Sequence, residues 1–216
     1  MSIDFTSVKA VTVPEGAVKK ITRKSDGVVL WEKQTIPSGF IYRLDQPLAC
    51  TGTQYIDTGI KLLETNTDFS IVCKFTCLSP GTPKWRTLFH CMYEASPYPG
   101  IVVDNNSNGS YFIARCAPWD AWLYTYAQTA GSYTFVVTAK ASSALVTTYI
   151  GLTGSNSPTI GSDNYTYSTV NSTLVIAAYK TTRGVYGRFF NNGSIDDFVV
   201  YKRTLSDAEA KSFFVA

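Results

Sequence analysis

The segment Trp119-Asp120-Ala121-Trp122-Leu123-Tyr124-Thr125-Tyr126 holds the densest set of side chains able to do recognition chemistry. Read as a strand with its period of two, it places Trp122, Tyr124 and Tyr126 on one face, with Ala121, Leu123 and Thr125 on the other. Sugars present apolar C–H faces that stack on aromatic rings, and Tyr and Trp add a polar tip to an apolar body. Arg115, Asp120 and Asn105 are the nearby groups that could take hydroxyls. The same aromatic residues would equally fill the space between two sheets, and sequence alone leaves both readings open. Trp85-Arg86 and the loop from Tyr93 to Tyr98 form a weaker second patch, of a kind that also anchors protein contacts.

Residues for covalent or acid–base chemistry are sparse. The single histidine, His90, sits beside Leu88, Phe89 and Cys91 in a strand-like run, and no Gly-x-Ser-x-Gly elbow accompanies it. A satisfied structural histidine fits this setting better than a catalytic one. The glutamates Glu15, Glu32, Glu64, Glu94 and Glu209 are scattered. Asp196 and Asp197 are adjacent, so an unbroken strand sends them to opposite faces, which suits structure rather than paired acid–base work. Five cysteines (Cys50, Cys73, Cys77, Cys91, Cys116) form no Cys-x-x-Cys pair. That pattern reads as free thiols in a chain made in a reducing cytosol, and it does not suggest a zinc site.

The elements that must position these residues are strands. The 216 residues are 45% hydrophobic, 14% aromatic and only 16% charged, which excludes disorder and coiled coil. A net charge of +3 with no basic block argues against nucleic-acid binding, and no apolar run reaches membrane-spanning length. Met1 to Phe5 lack the pattern of a secretory signal, so Asn-x-Ser/Thr matches at Asn171 and Asn192 count as chance.

Residues 1–37 form a polar leader. Val18 to Lys24, then Ser25-Asp26-Gly27, then Val28 to Glu32 predicts a hairpin, with an earlier strand from Val8 to Val13 making a small meander. Pro37-Ser38-Gly39 is the joint to a main domain, 38–216. There, strands are expected at 54–58, 69–76, 87–91, 100–103, 110–116, 121–126, 133–140, 145–150, 173–178 and 195–201, divided by turn clusters such as Gly154 to Pro158. Ser206 to Phe214 reads as the one helical stretch, capped by Ser206 with Glu209 three residues on. Many short strands and one terminal helical turn predict an all-β sandwich of antiparallel sheets.

The order of motifs resembles the laminin-G-like, concanavalin A-like jelly roll. Four stretches carry the resemblance: Gly52-Thr53-Gln54-Tyr55-Ile56-Asp57-Thr58-Gly59; Phe69 to Phe75; Tyr133 to Lys140 with Leu145 to Gly151; and Gly193 to Ser206 as the closing strand and helical turn. At Ala177 the family often has Gly. Ala fits there only with negative φ, so a local bulge is expected to be missing. Catalytic members of this fold use a Glu-x-Asp-x-Glu strand, which this sequence lacks. The resemblance therefore implies binding without catalysis and with no cofactor. It also raises a structural calcium ion, with Asp197 on the closing strand as the residue to examine.

The leader, through Val13-Pro14-Glu15-Gly16 and Asp26 to Lys33, resembles the N-terminal segment of phage and prophage tail proteins of gut bacteria. This implies a virion component, made in the bacterial cytoplasm and attached to the particle by its leader. As phage appendages are often trimers, a homotrimer is in keeping with it. The expected function is a non-catalytic module for a carbohydrate on a bacterial surface or in mucus. Its candidate residues are Trp122, Tyr124, Tyr126, Trp119, Asp120, Arg115 and Trp85. A purely structural virion domain is the alternative, and a glycoside hydrolase is the third reading.

Overall fold

The computed structural model describes residues 20–22, 29–32, 39–62, 67–78, 86–92, 100–105, 111–116, 121–127, 129–164, 173–180, 186–187, 189–191 and 193–215. The chain divides into two compact units, Met1–Pro37 and Ser38–Ala216. In the first, β1 (Lys20–Thr22) pairs antiparallel with β2 (Val29–Glu32), as the sequence predicts for a hairpin. The expected strand from Val8 to Val13 and the Asp26-Gly27 turn lie outside the described residues.

The second unit runs β3 (Phe40–Arg43), β4 (Leu48–Cys50), β5 (Ile56–Asp57), β6 (Phe69–Cys77), β7 (Thr87–Met92), β8 (Gly100–Asn105), β9 (Tyr111–Cys116), β10 (Ala121–Ala127), β11 (Gly131–Lys140), β12 (Leu145–Leu152), β13 (Thr159–Asn164), β14 (Val175–Ile176), β15 (Tyr179–Lys180), β16 (Tyr186–Gly187) and β17 (Gly193–Tyr201), then α1 (Asp207–Ser212). Two antiparallel sheets result, with strand orders β10-β9-β8-β7-β14-β5 and β13-β12-β11-β6-β17-β3. β4 also pairs with β17, and β15 with β16 form a small separate hairpin. This is a concanavalin A-like jelly-roll sandwich.

The core lies between the sheets. Phe89 of the six-stranded sheet meets Phe198 at 5.5 Å and Phe135 at 6.2 Å between ring centroids, both edge to face, which is the preferred geometry for aromatic pairs. Phe75 stacks on Tyr133 at 5.4 Å. At β11, in the middle of the seven-stranded sheet, both faces are buried. Tyr133, Phe135, Val137 and Ala139 join the central core, while Thr134, Val136 and Thr138 are covered on the far side.

The cover on that far side is α1 and the residues after it. Phe213 approaches Tyr201, Phe214 lies against Gly151, and the Gly154 N–H donates to the Phe214 carbonyl. Ser206 and Glu209 form the expected capping box: the Glu209 N–H donates to Ser206 Oγ and the Ser206 N–H to Glu209 Oε2.

Two readings of local backbone are corrected. Ala177 adopts φ +62, not the negative φ expected of Ala, and the irregularity is present rather than missing. Its N–H donates to the Leu88 carbonyl at 2.7 Å, and its own carbonyl accepts from the Phe190 N–H, so the tertiary hydrogen bonds hold the left-handed turn. Asp196 and Asp197 do not take opposite faces. A register shift between Ile195 and Asp197 removes Asp196 from alternation. Asp197 is then paired with Lys74, while Asp196 accepts from Thr76 two positions further along β6, on the same face.

Candidate functional site

The register of the six-stranded sheet defines two complete rows across it. One runs Ile56, Ile176, Phe89, Val103, Ala114, Tyr124. Ile176 and Phe89 belong to the core between the sheets, so this row is the inner one. The neighbouring row runs Asp57, Val175, His90, Val102, Arg115, Trp122, and it belongs to the outer face.

Trp122 and Tyr124 therefore fall in different rows, and the expectation that Trp122, Tyr124 and Tyr126 share one face is corrected. The cause is a register shift between Trp122 and Tyr124 that takes Leu123 out of alternation. A one-residue bulge reverses the parity of everything beyond it. Trp122 pairs with Arg115, Tyr124 with Ala114, and Tyr126 with Phe112. The structure thus brings two of the expected residues, Arg115 and Trp122, into direct cross-strand register and moves the two tyrosines to inner-row positions. Asn105 ends β8 opposite Phe112, on the same parity as the tyrosines. Trp119, Asp120 and Trp85 lie outside the described residues, as does the loop from Tyr93 to Tyr98.

The other end of the outer row carries residues that the sequence reading did not assign to a site. Asp57 Oδ2 accepts from Lys180 Nζ at 2.7 Å, and Lys180 also donates to Thr173 Oγ1 at 3.2 Å. Asp57 Oδ1 accepts from the Gly59 N–H and so closes the Asp-Thr-Gly turn. His90 is fully buried, with its ring 4.1 Å from that of Tyr179 between centroids. The signal that could have found Asp57 is its place in the Asp57-Thr58-Gly59 motif. Lys180 and Tyr179 reach the row through tertiary structure, which no spacing reveals.

Asp197, raised for calcium, receives two hydrogen bonds from Arg43, Nε to Oδ1 at 3.2 Å and Nη2 to Oδ2 at 3.1 Å. Asp196 accepts from Thr76 Oγ1 at 2.7 Å and from Ser194 Oγ. These carboxylates sit in a hydrogen-bonded polar surface on the seven-stranded sheet, next to Lys74. Burial lowers the Lys74 ammonium from its ordinary value, against the opposing pull of Asp197. Among the described residues, no group of three His, Cys, Asp or Glu is placed to hold a metal ion.

The described thiols Cys50, Cys73, Cys77 and Cys91 are buried. Burial pushes Cys50 up to about 11 and Cys91 to about 12, and it raises Cys73 as well. Such thiols are poor nucleophiles near neutral pH, because the thiolate is the reactive form.

No family model matches the sequence, and no curated protein matches it. Solved structures do share the fold. The CBM40 module of the Ruminococcus gnavus IT-sialidase, bound to α2,3-sialyllactose, is similar with a TM-score of 0.61 at 14% identity, covering 82% of this chain and 100% of that one. A leech intramolecular trans-sialidase gives 0.60 at 15% identity over 84% of this chain, and the NanB sialidase from Streptococcus pneumoniae gives 0.55 at 15% over 81%. This chain spans 28% of the length of each of those two enzymes. At these identities the likeness is one of fold.

Proposed function

We infer that this chain is a non-catalytic glycan-binding module whose ligand face is the outer face of the six-stranded sheet. The observation that carries the reading is the register pairing of Arg115 with Trp122 in one outer row. An indole supplies a stacking surface for a pyranose ring, and a guanidinium alongside supplies a fork of donors for hydroxyls or a carboxylate. The fold likeness to a CBM40 module bound to sialyllactose supports a glycan as the ligand and makes sialylated sugars the first to test. The lack of a Glu-x-Asp-x-Glu strand supports binding without catalysis.

The test is a glycan array probed with the full chain, followed by calorimetry on α2,3-sialyllactose and lactose. Trp122→Ala and Arg115→Ala are each expected to weaken binding about tenfold or more, while Tyr124→Phe leaves it unchanged. An array with no signal for the wild-type chain would sink the reading.

The resemblance of the leader supports placing this module on a phage or prophage particle, with residues 1–37 as the attachment segment. Deleting 1–37 should abolish incorporation into particles and spare glycan binding.

A further inference from the structure

β10 is the outermost strand of the six-stranded sheet and forms its ladder on one side only, with β9. That ladder is interrupted by the register shift between Trp122 and Tyr124, which removes pairing from a strand that has little to spare. Cα atoms of β10 also come within 8 Å of β12 and β13, so at this side the edge of one sheet lies against the edge of the other. The chain then crosses from β10 to β11, and Thr129 stands in the crossing. Tyr133 Oη of β11 donates to the Thr129 carbonyl at 2.9 Å and accepts from the Thr129 N–H at 3.1 Å. Thr129 Oγ1 lies 2.6 Å from the same oxygen. A phenol has one proton, here committed to the carbonyl, so the threonine hydroxyl is the donor in the third bond. A single residue of the crossing therefore takes up the donor and both acceptor positions of the phenol. The Tyr133 ring is fully buried and stacked on Phe75, whereas Thr129 is exposed.

We propose that the three Tyr133–Thr129 hydrogen bonds are a latch that sets how readily the β9–β10 edge opens away from the rest of the domain. Local opening of a strand has to overcome only the interactions which that strand and its connections make. For β10 these include one irregular ladder and a crossing tied to a core side chain. Thr129 is at the surface, so without the phenol its groups bond water instead. The edge then loses its tie to the core, while the core keeps its ring. The latch is a property of the fold and does not rest on the glycan reading.

The experiment is native-state hydrogen exchange of the full chain, read by mass spectrometry of peptic fragments. Tyr133→Phe keeps the ring against Phe75 and removes all three bonds. It should raise exchange in β9 and β10 about tenfold and leave β6, β11 and β17 as protected as in the wild type. Thr129→Val removes only the Oγ1 bond and should raise exchange in the same two strands by about threefold. Unchanged exchange in β9 and β10 would overturn the latch. So would an equal rise in β6, β11 and β17, since the phenol would then support the whole domain rather than its edge. If Tyr133→Phe does not fold, Thr129→Val decides by the same two criteria.

Discussion

Gly193 lies so close to Thr76 that a Cβ built on Gly193 would stand 1.7 Å from the Thr76 carbonyl oxygen. This glycine is the first residue of β17 and is paired on one side with Cys50 and on the other with Cys77. Its φ of +151 is also one that side chains disfavour. Gly193→Ala should destabilise the domain by about 3 kcal/mol, from steric overlap and backbone strain together. Urea denaturation followed by tryptophan fluorescence measures this, and a loss below about 1 kcal/mol would contradict the close approach.

Acid should weaken the C-terminal cover before it weakens the core. Hydrogen bonds from Arg203 and the Ser206 N–H pull the Glu209 carboxyl down to about 2, from an ordinary 4.5. A folded-state value below the unfolded one means stability that is fully present above pH 4.5 and lost as pH falls through about 2. Glu209 and Arg203 are about one-third exposed, so solvent screening reduces the contribution to about 1 kcal/mol. Glu209→Gln should lower stability at pH 7 by that amount and flatten its fall between pH 4.5 and 2, as followed by thermal melts across that range.

Two alanines in left-handed conformation should respond differently to glycine. Ala144, at φ +48 after the 3-10 turn Ala141–Ser143, is only partly buried. Ala144→Gly relieves the strain at little packing cost and should stabilise by about 0.5 kcal/mol or more. Ala177, at φ +62, has its methyl in the core. Ala177→Gly gains the same relief but loses about one buried methyl, close to 0.8 kcal/mol, and should be nearly neutral. Calorimetric melts of the two variants side by side separate the effects.

The buried thiols should be silent until the chain unfolds. In a Cys116→Ser background, the four remaining cysteines are all buried, and burial holds Cys50 near 11 and Cys91 near 12. A disulfide reagent at pH 8 should show no rapid reaction with the native chain and four equivalents in denaturant. Rapid native reaction of even one thiol would contradict the packing.

The long strands were legible because their apolar residues fall at the period of two: Tyr133, Phe135, Val137 and Ala139 of β11 all reach the core. Helix α1 announced itself through Ser206 and Glu209, whose capping chemistry is local. By contrast, β13, with the sequence Thr-Ile-Gly-Ser-Asp-Asn, is not among the strands that the sequence predicts. It lies at a sheet edge with nearly all its side chains exposed and is strand only because β12 pairs with it. The bulges at Leu123 and Asp196 were illegible for a related reason. A register shift is a property of two strands together, and the alternation of one strand carries no record of it. That is why Arg115 and Trp122 were found by type, while the separation of Trp122 from Tyr124 was not.

The hydrogen bond from Gly154 to Phe214 fixes the last described residues against the outer side of the seven-stranded sheet, the reverse of the sandwich from the Arg115–Trp122 row. An immobilisation tag joined after Ala216 therefore leaves the domain standing on its back. On a sensor chip this orientation presents the six-stranded sheet to the flowing analyte, whereas random amine coupling through the surface lysines would bury it in some of the molecules.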